Sequence, residues 1–173
     1  QFSTLGAMEN LGGANNAVVD LNDGSGSNRI NFTYGGSISK TTIGPAVYVQ
    51  GLTSPGAATF NGAVTASNVS GGVAINNSSR TVTFSSLNLG SSAARFASTP
   101  VALSGNTGAV NLGNLKIYTN AVTALNINYA NASPGRVSTS AGSVLDVSGA
   151  ATALVVNHAT LQDLNLRFAS ILS

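Results

Sequence analysis

The chain has 173 residues, room for one domain with a sizeable core, yet only 7% of them are charged, against roughly 25% in an ordinary soluble domain. At 43% hydrophobic, mostly Ala, Val and Leu, it is too apolar for a disordered chain, and with so little Glu, Lys and Arg it cannot build the wet face of a helical bundle. The net charge of +2 comes from Arg29, Lys40, Arg80, Arg95, Lys116, Arg136 and Arg167, spread singly, so nucleic acid is not an expected partner, and the absence of cysteine removes disulfides and thiolate metal sites.

In chain order, residues 1–28 stand apart. "QFSTLGAMENLGG" suits one short helical turn, and "NNAVVDLNDGSGSN" one strand and a Gly/Ser-rich turn. Three of the five acidic residues, Glu9, Asp20 and Asp23, lie here. The segment is expected to be an N-terminal cap or a subunit contact, because the end of a repeat array otherwise exposes an unpaired strand row. From residue 30 onward alternating runs recur: "INFTYG" (30–35), "AVYVQG" (46–51), "ATFNGAVTA" (58–66), "GVAIN" (72–76), "TVTFSSLNL" (81–89) and "AVNLGNLKIY" (109–118). "ALNINYA" (124–130), "SVLDVSG" (143–149), "ALVVNHA" (153–159) and "LNLRFAS" (164–170) follow. Apolar side chains alternate with Thr, Ser or Asn, the period of a strand with one buried face. Gly71-Gly72, Ser104-Gly105, Pro134-Gly135 and Ser148-Gly149 read as corners. No apolar run approaches the ~20 residues of a membrane span, so the chain is not expected to cross one.

The runs also repeat. "AVTALNINYA" (121–130) returns, offset by 29, as "AATALVVNHA" (150–159), with Leu125 matching Leu154 and Asn128 matching Asn157. "TFNGAV", "TFSSLN" and "NLGNLK" align on Phe60, Phe84 and Leu112, spaced 24 and 28 apart, and Phe32 precedes Phe60 by 28. A period of this length belongs to a parallel β-solenoid, in which each coil returns the chain to the same azimuth on top of the coil before. The fold class is therefore all-β, a parallel β-helix of about five to six coils over residues 29–173. Phe32, Phe60, Phe84, Leu112, Leu125, Leu154 and Phe168 are the expected core positions. Scarcity of charge follows from the same geometry, because a repeated charge would face its own kind at ~5 Å, whereas Asn, Ser and Thr bond along the stack. Asn128 over Asn157 is the best candidate for such a ladder. The sequence reaches "FASILS" still apolar and alternating, which predicts either neighbouring repeats of a longer array or a face that meets another chain.

"GAATFNGAVTA…GGVAINNSSRTVTFSSLNLGSS", "TALNI" and "TALVVNHATLQDLNLRFASI" resemble the β-strand repeat segments of very large bacterial surface proteins. Their coils read like G-T-V-T-F-x-G-x-V-T followed by G-V-x-V-x-N-N-x. The resemblance covers residues 29–173. It implies a right-handed parallel β-helix, an extracellular or cell-surface setting and a structural or adhesive role. Arg80, Lys116 and Arg167 depart from it, standing where such coils carry Thr, Ser or Gly, and "GSSAARFASTPVALSG" (90–105) is less regular.

Little in the sequence carries chemistry. His158, the single histidine, aligns with Tyr129 and reads as an outward polar ring. Asp146 alternates with Val144 and Val147 and is expected on the solvent side or at a corner. Asp146 and Asp163 are separated by less than one coil, so they should occupy different sides. No catalytic, cofactor-binding or metal-ligating residue is assigned, no cofactor is expected, and the chain is read as not an enzyme. The Asn-x-Ser/Thr matches at Asn31, Asn68, Asn77 and Asn131 are expected by chance in so Asn- and Ser-rich a chain. Thr59, Thr81, Thr83, Thr123 and Thr152 do not suggest the sustained T-x-T row of an ice-binding face. Surface glycans are a candidate partner through Tyr34, Tyr48, Tyr118 or Tyr129, although aromatics in strands are mostly packed. The reading is a non-enzymatic structural or adhesive β-solenoid of a bacterial extracellular protein or fibre, with self-association into head-to-tail filaments. The alternative is a carbohydrate-binding or polysaccharide-degrading β-helix.

Overall fold

The computed structural model describes residues 2–4, 8–10, 17–22, 31–53, 56–67, 71–129, 136–157 and 163–173. Among them every strand pairs in parallel with its counterpart one coil away, and there is no helix. A twelve-stranded sheet and a six-stranded sheet make up the column. The larger is folded along its length into two faces, so the solenoid has three.

The first face holds Phe2–Thr4, Phe32–Tyr34, the start of Ala57–Ala66, the start of Thr81–Leu89, Ala109–Asn111, Arg136–Ser138 and Asp163–Asn165. The second holds Met8–Asn10, Ile38–Lys40, the ends of Ala57–Ala66 and Thr81–Leu89, Asn114–Asn120, Ser143–Ser148 and Phe168–Leu172. The third runs through Val19–Asn22, Val47–Gln50, Val73–Asn76, Val101–Ser104, Leu125–Asn128 and Leu154–Asn157. From Phe32 the chain completes five turns and begins a sixth. The strands within residues 1–28 add one further rung to each ladder. The described parts of "QFSTLGAMENLGG" are thus extended, where a helical turn was expected: an open ladder edge offers backbone partners that a lone turn cannot match.

The coils differ in length, so register partners are not separated by a constant interval: Ala63 meets Ser86, whereas Phe2 meets Phe32. The shorter coils turn the corner between the first two faces without leaving the strand, through a register shift between Phe60 and Ala63. Leu125 pairs with Leu154, and Phe60 with Phe84. The Phe60 and Phe84 rings stack 4.7 Å apart and 7° from parallel. Phe32 differs from expectation. It pairs with Ala58, and Tyr34 pairs with Phe60, because this coil is slightly shorter than the Phe32-to-Phe60 interval. Its ring still meets Phe60, centroids 5.3 Å apart, since both point inward.

Inward columns form the core. On the third face Val47, Val73, Val101 and Leu125 stack in one column, and Val49, Ile75, Leu103 and Ile127 in the next, all of them buried. Phe32, Phe60, Phe84, Leu112 and Leu125 are buried as expected, whereas Leu154 and Phe168 are only partly covered because they belong to the last coil. Lys40 and Arg80 are also buried, which their charge did not suggest. Two glycines are dictated by the winding. A Cβ on Gly62 would stand 1.9 Å from the Gly36 carbonyl oxygen. Gly113 has φ +60, and its Cβ would lie 2.3 Å from the Phe84 oxygen. Of the expected corners, Gly71, Gly105 and Gly149 take positive φ, joined by Asn77 and Ala121. Pro134-Gly135 lies outside the described residues.

Candidate functional site

A solenoid displays its outward side chains as rows, one residue per rung at about 4.8 Å. On the first face Thr33, Thr59, Thr83, Asn111, Ser138 and Asn165 are in successive register. The upper part of the row is bonded side chain to side chain. Asn111 Nδ2 donates to Thr83 Oγ1 at 3.1 Å, and Ser138 Oγ donates to Asn111 Oδ1 at 2.8 Å. Arg167 Nε donates to Asn165 Oδ1 at 3.2 Å. On the third face the equivalent row is Asn22, Gln50, Asn76, Ser104, Asn128 and Asn157. Asn157 Nδ2 donates to Asn128 Oδ1 at 3.4 Å, the ladder expected from the repeat.

The irregular stretch 90–105 places Arg95 across the second face. Its Nη1 contacts Asp146 Oδ1 at 2.8 Å and donates to the backbone oxygens of Thr119 and Asp146, both at 3.2 Å. Its guanidinium carbon lies 5.8 Å from the Tyr118 ring centre. Tyr118 and Asp146 are partners in neighbouring rungs, so the three side chains form one cluster. Asp146 therefore lies within a strand and is partly exposed, as an anchor for this loop. Asp163 belongs to a first-face strand, on a different side from Asp146.

The tyrosines correct the sequence reading. Tyr34 and Tyr129 are each 1% exposed and can stack on no ligand. Tyr48, half-buried, donates its hydroxyl to Gln50 Oε1, and the half-buried Tyr118 sits against Arg95. Burial pushes the Tyr129 hydroxyl up to about 12, with the Asn106 side chain opposing the shift. Asn106 itself is buried and tied down: Ser78 N donates to its Oδ1 at 2.9 Å, and its Nδ2 donates to the Ile75 oxygen at 2.8 Å. His158, Asn68 and Asn131 lie outside the described residues. Asn31 uses its Oδ1 to accept from Ala57 N at 3.0 Å, and Asn77 is an exposed corner residue.

The polar rows were hard to find from sequence because their members are Thr, Asn, Gln and Ser in no fixed order. Only the register shows that Thr33, Thr59 and Thr83 align. No grouping of three His, Cys, Asp or Glu suited to a metal ion occurs among the described residues. No protein family, curated protein or solved structure matches the chain.

Proposed function

We propose that the chain is a structural and adhesive β-solenoid module of a bacterial extracellular surface protein or fibre, without catalytic activity of its own. The observation that supports it is the uninterrupted stacking of rungs, in which apolar columns such as Val47, Val73, Val101 and Leu125 and uncharged polar rows such as Thr33, Thr59, Thr83, Asn111, Ser138 and Asn165 run along the solenoid. Val156, Leu164 and Ile171 continue the inward columns of Ile127, Val137 and Leu145, which are at most 1% exposed. Yet they are 38%, 42% and 52% exposed, and Leu172 beside them is 50% exposed. Such a surface is complementary to one more coil of the same pattern, whether from the same polypeptide or from another copy. Backbone edge pairing and apolar burial then act together, as in strand addition at a sheet edge. Hydroxyl and amide rows in place of charges let successive coils stack without repulsion, which suits a load-bearing module outside the cell.

Sedimentation velocity and negative-stain imaging over a concentration series test this reading. Linear assemblies that lengthen with concentration are expected, and Ile171→Lys with Leu172→Lys should disperse them. Isolated particles at every concentration would overturn the head-to-tail assembly.

A further inference from the structure

Over its last rungs the first face carries a shallow groove lined by Ala109, Asn111, Arg136, Val137, Ser138 and Asn165, with a volume of about 300 Å³. We infer that this groove holds one uronate residue of an acidic polysaccharide, with the sugar chain running along the solenoid axis over the row from Thr83 to Asn165. Such binding is independent of whether the module is part of a fibre.

The groove offers repeating donors and acceptors. Asn111, Ser138 and Asn165 occupy one outward row on consecutive rungs, so their polar groups recur at about 4.8 Å, close to the advance of an extended sugar chain per residue. Their bonds to each other leave capacity for sugar hydroxyls. Asn111 spends one amide N–H on Thr83 and one oxygen lone pair on Ser138, and Asn165 accepts from Arg167 while its amide N–H groups remain. Charge then selects an acidic sugar. Arg136 is exposed at the rim, and the Arg167 guanidinium is fixed beside the row through Asn165. A guanidinium takes a carboxylate through two parallel N–H bonds, a geometry that a neutral hydroxyl cannot satisfy. Arg136 and Arg167 thus bring two formal positive charges to this side of the groove. Size fixes the length of the buried segment. The volume is at the lower end for small-molecule sites and suits one sugar ring, with the half-buried Ala109 beneath its apolar side, whereas Val137 turns its side chain into the core and lines the groove only with backbone.

The test is calorimetric titration of the intact chain with oligogalacturonate, with neutral cello-oligosaccharide of equal length as comparison, and with amide spectra of the complex. The acidic oligomer should bind, shift the side-chain amide signals of Asn111 and Asn165, and weaken as salt is raised. Arg136→Gln should lower its affinity at least about tenfold. Lys116→Gln, an exposed cation on the second face, should leave it unchanged. Absence of binding, equal binding of the neutral oligomer, or equal losses in the two variants would each overturn the inference. Arg136 is exposed, so the variant keeps the fold, which unchanged circular dichroism verifies. Its sedimentation also stays that of the parent, which separates this result from the assembly experiment.

Discussion

Replacing Phe84 by Ala probes the winding directly. Phe84 is 1% exposed and stacks on Phe60 one rung away. Removing its ring costs about 3–5 kcal/mol for lost burial and the cavity left behind. About 0.5–1.5 kcal/mol of that belongs to the ring pair and should appear as coupling in a double-mutant cycle with Phe60→Ala. A solenoid rung touches only its neighbours, so a gap in the column weakens the interface between two adjacent coils rather than a shared centre. In urea, with a slope of about 2–3 kcal/mol/M, the midpoint should fall by about 1–2.5 M. Thr59→Ala is the control. Thr59 precedes Phe60 on the same strand but points outward, half-buried, and its replacement should change stability by no more than about 0.5 kcal/mol. Equal losses for Thr59→Ala and Phe84→Ala, or no coupling between Phe60 and Phe84, would refute the stacked column.

Three further outcomes are expected. Gly62→Ala drives a methyl group into the Gly36 carbonyl, forces two rungs apart, and should cost at least about 2 kcal/mol, seen as a melting temperature lowered by roughly 4 °C or more. Asn106→Ala strands the buried Ser78 N–H and removes the amide hydrogen bond to the Ile75 carbonyl, so stability should fall by about 1–3 kcal/mol and the Ser78 amide should exchange faster with solvent. Tyr129 has a hydroxyl raised from 10.0 to about 12 by burial, so between these values the unfolded chain gives up this proton first. The unfolded state then binds fewer protons than the native state, and stability falls as pH rises past 10, by about 1.4 kcal/mol per unit. Urea midpoints measured from pH 9 to 11 should fall less steeply for Tyr129→Phe than for the parent.

Much of the architecture was legible because its signals are local or repeated. Alternation marked the strands, and the matches of Leu125 with Leu154 and of Phe60 with Phe84 gave true register partners. The Asn128–Asn157 ladder followed from the same repeat. The match of Phe32 with Phe60 was two residues off, because Phe32 lies over Ala58 in a shorter coil. Side-chain character misled in another way. Tyr34 and Tyr129 were considered for ligand contact but are core, and the charged Lys40 and Arg80 are buried; for Tyr34 and Lys40, which lie in strands, a pleat sends every second side chain inward whatever its chemistry.

By itself, then, the amino-acid order determined the period-two pattern, the coil period and the avoidance of charge, all properties a strand or a repeat carries wherever it is placed. Tertiary structure alone decided which rows meet. Arg95 reaches Asp146, nearly two coils further along the chain, and Thr33, Thr59, Thr83, Asn111, Ser138 and Asn165 become one line. Each corner absorbs a different number of residues, and only hydrogen bonding to the coil below fixes how many.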